Sequence, residues 1–120
     1  MVNRRQLGKE YEDRATKILE ENGYKIIKKN YFGRYGEIDI IAQKKNLLVI
    51  VEVKFRKTRK YGEGIEAVDI RKIRRMYKTA KEFIYKKKLY DMDIRFDCIY
   101  FLNSEVSWTK NIAWGDEIGF

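Results

Sequence analysis

The stretch that decides the fold covers residues 36–55 and reads GEIDIIAQKKNLLVIVEVKF. Both halves are rich in β-branched residues, and polar and apolar positions alternate in each half with the period of a β-strand. Lys45 and Asn46 lie between the halves and favour a two-residue turn, because Asn tolerates the positive φ that such turns need. The sequence therefore predicts a β-hairpin.

The turn also predicts how the two strands of the hairpin pair. Counting back from a two-residue turn places Asp39 opposite Glu52 and Glu37 opposite Lys54. A slip of one residue would mix the apolar and polar faces, so the pattern supports this register. In this register one face of the first strand consists of Ile38, Ile40 and Ala42.

Asp39 and Glu52 give the hairpin its candidate chemistry. Directly opposed residues have Cβ atoms about 5 Å apart, and at an effective dielectric constant of about 20 two carboxylates at that separation repel each other by roughly 3 kcal/mol. A cation between them would reverse the sign of this interaction, and Mg²⁺ is commonly held by one or two carboxylates together with phosphate and water. The pattern is equally compatible with a solvated hairpin face on which Glu37 and Lys54 form an ion pair.

The hairpin resembles a known nuclease signature. Asp39, thirteen positions before an E-x-K tripeptide at 52–54, is similar to the PD-(D/E)xK motif, in which an acidic residue on one strand and an E-x-K on the next hold a metal ion and activate water. The longer strings at 36–42 (GEIDIIA) and 51–56 (VEVKFR), with RFD at 95–97, closely resemble the YraN-like family of small predicted endonucleases. That family is related to archaeal Holliday junction resolvases.

The resemblance covers most of the chain, from Gly8 to about Trp114, and implies both a fold and a function. The implied fold is a single α/β domain with a restriction-endonuclease-like core, a mixed β-sheet flanked by two helices. The implied function is a metal-dependent DNA endonuclease that acts on branched or structured DNA, as a homodimer by analogy with the resolvases. Ile38 stands where the superfamily has Pro, a departure that leaves the acidic residue after it in place.

The resemblance also implies roles for individual residues. Asp39 and Glu52 would hold Mg²⁺ or Mn²⁺, and Lys54 would orient the attacking water or stabilise charge on the phosphate. A Glu on the first helix often joins the active site of such enzymes, and Glu10 is the position that matches. Glu37 is a secondary candidate. Two alternatives stay open: a non-catalytic nucleic-acid-binding module that uses Asp39, Glu52 and Lys54 only as a buried ion cluster, and an RNA-processing nuclease.

The composition points to a polyanionic partner. The 120 residues include 27 Lys and Arg against 18 Asp and Glu, which gives a net charge of +9 and a pI of about 9.6. We expect nucleic acid as the partner, ahead of an anionic membrane. The chain contains no His, which excludes His-ligated zinc and Ser-His catalysis. With Cys98 as the only cysteine and no signal peptide or apolar run of membrane-spanning length, we expect a cytoplasmic protein with a buried thiol.

Hydrophobic periodicity predicts the remaining elements. A first helix is predicted over residues 3–22, with Glu10 roughly 100° from Tyr11 at the border of the apolar stripe. The open alternative for Glu10 is an exposed ion pair with Arg14. Asp97 is interpreted as structural. The other predicted elements are a strand over 24–32, a second helix over 66–88, a strand over 93–102 and a short edge strand within 106–114.

Basic residues near the hairpin are the candidate nucleic-acid contacts. The turn at 32–36 combines Arg34 with glycines that let the backbone approach a phosphate closely. A basic loop after the E-x-K strand and one face of the second helix add further cations, and Lys72 matches a basic position that recurs in the resembling family. The alternative is a loop whose charge only aids solubility. The candidate set is Arg34, Arg56, Lys57, Arg59, Lys60, Tyr61, Arg71, Lys72 and Arg75.

Overall fold

The computed structural model of the chain describes residues 4–56 and 70–112, which form two helices and five strands. The order of the elements is the predicted one, and residues 66–69 of the predicted second helix lie outside the described ranges. Among the described residues, no helix is both long and apolar enough to cross a membrane. The elements are α1 (Arg4–Glu21), β1 (Lys25–Gly33), β2 (Gly36–Lys44), β3 (Leu47–Arg56), α2 (Ile70–Lys87), β4 (Asp93–Leu102) and β5 (Glu105–Thr109).

The five strands form one sheet in the order β1-β2-β3-β4-β5. Neighbouring strands are antiparallel except β3 and β4, which pair in parallel from Leu47 opposite Asp93 to Arg56 opposite Leu102. A parallel pair needs a crossover connection, which here contains α2. The predicted α/β fold, a mixed sheet flanked by two helices, is confirmed, and it is consistent with a restriction-endonuclease-like core.

The two helices cover opposite faces of the sheet. Ala15 and Leu19 of α1 are fully buried on one face, and Met76 and Phe83 of α2 are buried on the other. Full burial of one large apolar side chain contributes about 1.5–3 kcal/mol, so these contacts hold the helices on the sheet. Strand residues in the α1 cluster include Ile40, Ala42, Val49, Val51 and Ile99, and those in the α2 cluster include Ile38, Ile41, Leu48, Ile50 and Cys98.

The hairpin register agrees with the prediction near the turn, where the pairing runs as far as Ile40 opposite Val51. The turn itself differs in one detail. Lys45, not Asn46, has the positive φ, 54°. The side-chain amide of Asn46 instead donates a hydrogen bond to the carbonyl oxygen of Asp91 at 2.9 Å, which ties the turn to the segment before β4.

The alternation of faces breaks at Asn30 in β1 and at Asp39 in β2. Asn30 has φ 52°, a left-handed conformation that Asn adopts more readily than most residues. Ile38 packs in the α2 cluster and Ile40 in the α1 cluster, although residues two apart in a regular strand share a face. The prediction that these two isoleucines lie on one face is therefore wrong.

This break also corrects the predicted partner of Glu37. Glu37 lies opposite Phe32 of β1, not opposite Lys54, so the predicted Glu37–Lys54 pair is wrong. The Nζ atom of Lys54 lies 3.7 Å from the carboxylate of Glu52 instead. Because Ile38 faces α2, its neighbour Glu37 is on the α1 face of the sheet.

The β1–β2 turn packs against α2. The backbone N–H of Arg34 donates a hydrogen bond to Oε1 of Glu82 at 2.9 Å, and the hydroxyl of Thr79 donates one to the carbonyl of Gly36 at 3.3 Å. Gly33 permits this approach, because a Cβ atom there would lie 2.6 Å from Cγ2 of Thr79. These contacts fix the position from which β2 begins.

Candidate active site

The sheet contains a gap between β2 and β3. Their backbone pairing ends at Ile40 and Val51. At the next position the carboxylate of Asp39 replaces a backbone partner, since the N–H of Val53 donates a hydrogen bond to Oδ2 of Asp39 at 2.8 Å. Farther on, β2 pairs only with β1 while β3 pairs with β4. We call this opening the strand gap, and Asp39 and Glu52 lie where it begins.

Two cavities meet at the strand gap. One, of about 260 Å³, lies on the α2 side and is lined by Arg75 and Met76. The other, of about 240 Å³, lies on the α1 side and is lined by Gly8 and Glu12. A ligand can therefore approach the gap from either face of the sheet. The residues that line both cavities are Asp39, Glu52 and Lys72.

Three carboxylates from two elements form what we call the acidic triad. It consists of Glu12 of α1 with Glu37 and Asp39 of β2, and one oxygen from each lies within 4.8 Å of the others. The break in alternation at Asp39 brings Glu37 to the α1 face, beside Glu12. Gly8 precedes Glu12 by about one helical turn and leaves this side of the helix without a side chain over the cavity.

Glu52 is held by two lysines. Glu52 is only 3% exposed, and Lys72 donates a hydrogen bond to its Oε1 atom. The Nζ atom of Lys54 lies 3.7 Å from the same oxygen. A buried carboxylate is costly unless it is paired, so the two ammonium groups stabilise Glu52 in this position.

The crowding of these groups shifts their pKa values. Burial, and then the charge of Glu52, raises the pKa of Asp39 to about 8. Burial and the neighbouring carboxylates also raise the pKa of Glu37. Burial and the charge of Lys72 lower the pKa of Lys54. All three groups line the cavities that meet at the strand gap, and perturbed groups clustered in this way are typical of functional sites.

The acidic triad fits a hard divalent cation. Its donor atoms are all carboxylate oxygens, the ligands that Mg²⁺ and Mn²⁺ prefer. A cation among them would also offset the like-charge repulsion and the burial that raise the pKa values of Asp39 and Glu37. The donor set is therefore suitable for a metal ion, and the identity of that ion as Mg²⁺ or Mn²⁺ stays a prediction.

Three of the four predicted catalytic residues meet at the strand gap: Asp39, Glu52 and Lys54. Glu10 does not join them, because it is exposed on α1 and is outside the acidic triad. The helical carboxylate in the triad is Glu12. Two residues correspond to about 200° of helical rotation, so Glu12 lies on the opposite border of the apolar stripe from Glu10. The hydrophobic periodicity of α1 does not distinguish Glu10 from Glu12 as the residue that faces the site.

The predicted nucleic-acid contacts lie in different surroundings. Lys72 points into the site, and Arg56 and Arg75 line the cavities that meet there. Arg34 and Arg71 are exposed on the β1–β2 turn and on α2. Their contact with nucleic acid stays a prediction. The remaining members of the set, Lys57, Arg59, Lys60 and Tyr61, lie outside the described residues.

Asp39 is expected to make the metal-free protein less stable as the pH rises. Its pKa is about 8 in the folded chain against an ordinary value of 3.8. Between about pH 4 and pH 8 the folded chain keeps a proton on Asp39 that the unfolded chain has released. The free energy of unfolding is therefore highest below about pH 4 and falls as the pH rises to about 8. Asp39→Asn needs no such proton, and we expect it to raise the Tm at pH 8 by about 5 °C in EDTA.

Asp13→Asn is the matched control for this experiment. Asp13 is exposed, and its hydrogen bond with Lys29 lowers its pKa, so its small contribution has the opposite sign. Parallel curves of Tm against pH for the wild type and Asp39→Asn would contradict the raised pKa of Asp39.

Comparison with known proteins identifies a family. A family model described as "Uncharacterised protein family UPF0102" matches residues 11–101, which include the acidic triad and the E-x-K tripeptide. A UPF0102 protein of Fusobacterium nucleatum is 51% identical over 119 residues, 99% of this chain and 100% of that protein. UPF0102 proteins of Sulfurihydrogenibium sp. and Persephonella marina are 42% and 39% identical, over 92% and 87% of this chain and 96% and 90% of their own lengths.

Proposed function

The chain belongs to the UPF0102 (YraN-like) family, and we propose that it is a metal-dependent endonuclease that hydrolyses phosphodiester bonds in DNA. The family description and the names of the relatives state no activity, so the support comes from the site. The observation that carries the proposal is the meeting of four carboxylates, from α1, β2 and β3, with the ammonium group of Lys54 at one gap in the sheet. The resemblance to PD-(D/E)xK nucleases adds to this support.

The carboxylates at the strand gap would hold Mg²⁺ or Mn²⁺. Glu12, Glu37 and Asp39 offer three oxygens within 4.8 Å of one another, and Glu52 is the next carboxylate along the gap. When bound, a divalent cation stabilises negative charge on a phosphate and makes water a stronger nucleophile near neutral pH. On their own, the three carboxylates would repel an anionic phosphodiester.

The two lysines at the gap have separate roles in the proposed mechanism. Lys54 lines the cavity on the α1 side, where its ammonium group orients the attacking water or stabilises charge that develops on the phosphate. Its lowered pKa brings proton transfer closer to neutral pH. Lys72 donates its hydrogen bond to Glu52 and thereby holds that carboxylate in place.

The surroundings of the gap support a nucleic-acid substrate. Arg56 and Arg75 line the two cavities that meet there, and the net charge of +9 favours contacts to a phosphate backbone. By analogy with archaeal Holliday junction resolvases, we propose branched or structured DNA as the substrate and a homodimer as the assembly. Two cuts placed symmetrically require two sites related by a twofold axis.

Cleavage assays test this function directly. Labelled four-way-junction, flap, single-stranded and linear duplex DNA are incubated with the wild-type protein and Mg²⁺, Mn²⁺ or EDTA. Cutting that requires the metal is the expected result. DNA binding without any cutting would contradict it and would favour a non-catalytic nucleic-acid-binding module. Preferential cutting of a matched RNA would instead favour an RNA-processing nuclease.

Metal binding is tested separately by comparing variants of two glutamates on α1. Glu12→Gln is expected to weaken Mn²⁺ binding, measured by calorimetry, by at least about tenfold, because one carboxylate of the triad is lost. Glu10→Gln makes the same change at an exposed position two residues away and is expected to leave the affinity unchanged. Equal affinities for both variants would contradict the assignment of Glu12.

A further inference from the structure

A groove of about 690 Å³ lies next to the acidic triad. Its walls come from the first half of α1 and from the end of β1, which is an edge strand of the sheet. The groove shares Glu37 with the first of the two cavities at the strand gap and Glu12 with the second, so it leads directly to the proposed active site. Its other end opens at the edge of the sheet.

Phe32 is an aromatic side chain in this groove that the fold leaves exposed. The residue is 74% exposed, so its ring gains little from burial. The neighbouring Tyr31 shows the contrast, since its ring packs edge-on against Phe83 with centroids 5.2 Å apart. Phe32 lies opposite Glu37 in the β1–β2 register, which places the ring beside the acidic triad.

Three cations line the same groove. Arg5 and Lys9 are four residues apart on α1 and are both exposed, so they share one side of the helix. Lys29 reaches the groove from β1 and forms an ion pair with Asp13 at 2.6 Å. The groove thus offers positive charge along its walls and an exposed ring next to the site of the proposed cut.

We infer that this groove binds a single strand of DNA that leads away from the strand gap, with Phe32 stacked on an unpaired base. Arg5 and Lys9 contact the phosphates of that strand. Aromatic rings in a positively charged groove are the recurring arrangement in single-strand sites. In an intact duplex each base face is covered by its neighbours, so the ring selects DNA with unpaired nucleotides, such as a flap.

The inference rests on the proposed function only for the cut that follows binding. Binding itself needs no metal and no hydrolysis. It is therefore measured in EDTA, which removes the metal that the proposed cleavage needs, so that only the affinity for DNA is observed.

The experiment measures fluorescence anisotropy of a labelled oligothymidine and of a duplex of equal length. Phe32→Ala is expected to weaken binding of the single strand about tenfold and to leave duplex binding unchanged, because one base–aromatic stack is lost. Phe32→Trp keeps an aromatic face and is expected to bind at least as tightly as the wild type. Lys9→Gln is expected to lower the slope of log affinity against log salt by roughly 0.7, the value for one phosphate contact on a single strand.

Tyr85→Ala is the matched control. Tyr85 is 73% exposed, as Phe32 is, but it lies on α2, away from the groove, and its removal is expected to leave single-strand affinity unchanged. Two results for Phe32→Ala would overturn the inference. One is an unchanged affinity for the single strand, and the other is an equal loss of affinity for the single strand and the duplex. If single-strand binding depends on Phe32 but no DNA is cut with any metal, the proposed nuclease activity is contradicted and the proposed role of the groove is supported.

Discussion

Replacing Glu52 with glutamine is expected to slow metal-dependent DNA cleavage by about a thousandfold. Glutamine keeps the size of the side chain but removes the charge that pairs with Lys72 and Lys54 and that attracts a cation to the strand gap. Charge stabilisation of this kind is worth several kcal/mol in a transition state, and about 1.4 kcal/mol is a factor of ten in rate. The measurement is the single-turnover cleavage rate of a flap substrate at saturating Mn²⁺.

Two further variants separate the roles at the gap. Lys54→Met keeps most of the aliphatic stem, and it removes the charge aimed at the phosphate while Lys72 still binds Glu52. We therefore expect it to bind Mn²⁺ within a few-fold of the wild type and to cut about 100-fold more slowly. Glu10→Gln is the surface control and is expected to cut at the wild-type rate. A Glu52→Gln protein that cuts as fast as the wild type would exclude Glu52 from the mechanism.

The beginning of the strand gap could be predicted from the hairpin alone. The alternation and the two-residue turn were sufficient to bring Asp39 and Glu52 to neighbouring positions, because the register holds as far as the last backbone pair before them. The separation of the strands could not be predicted in this way. Beyond Ile40 and Val51 the carboxylate of Asp39 accepts the hydrogen bond of the Val53 N–H, and β2 stays paired only with β1. Neither feature changes the pattern of apolar residues.

The contributions of the helices were harder to predict. Glu10 and Glu12 lie on the two borders of the apolar stripe of α1, so the choice between them depends on the angle at which the helix crosses the sheet. Hydrophobic periodicity gives no information about that angle. The sequence predicts Lys72 as a nucleic-acid contact, which stays a prediction, but it does not reveal the hydrogen bond that Lys72 donates to Glu52. The sequence predicts Phe32 both as the end of the first strand and as the start of the turn, and in the structure it is the last residue but one of β1 and pairs with Glu37.

The second large effect concerns Asp97, on the neighbouring strand β4. Its fully buried carboxylate accepts four hydrogen bonds: two from Arg95 at 2.8 Å, one from Trp108 at 2.9 Å and one from the backbone of Asn111 at 3.0 Å. Arg95 also donates to the hydroxyl of Tyr24 at 2.9 Å, so the cluster joins β4 to β5 and to the residue just before β1. This agrees with the interpretation of Asp97 as structural.

Asp97→Ala is expected to lower the free energy of unfolding by about 3–5 kcal/mol, because it leaves a half-buried guanidinium and two other donors without their acceptor. Urea denaturation measures the change, which corresponds to a shift in midpoint of more than about 1 M. Trp108→Phe removes a single donor and is expected to cost about 1 kcal/mol, so it tests the same cluster if Asp97→Ala does not fold.

Asp13→Asn shows why burial decides the size of this effect. It breaks an ion pair with Lys29 that, at 2.6 Å, is shorter than the 2.8 Å pair of Asp97 with Arg95, but water reaches both partners, whose side chains are 35% and 54% exposed. We therefore expect a cost of no more than about 1 kcal/mol. Equal costs for Asp13→Asn and Asp97→Ala would mean that the cluster around Asp97 contributes no more than a surface pair. A large cost for Asp97→Ala alone, with Mn²⁺ affinity of the folded variant unchanged, would assign Asp97 to stability and the strand gap to function.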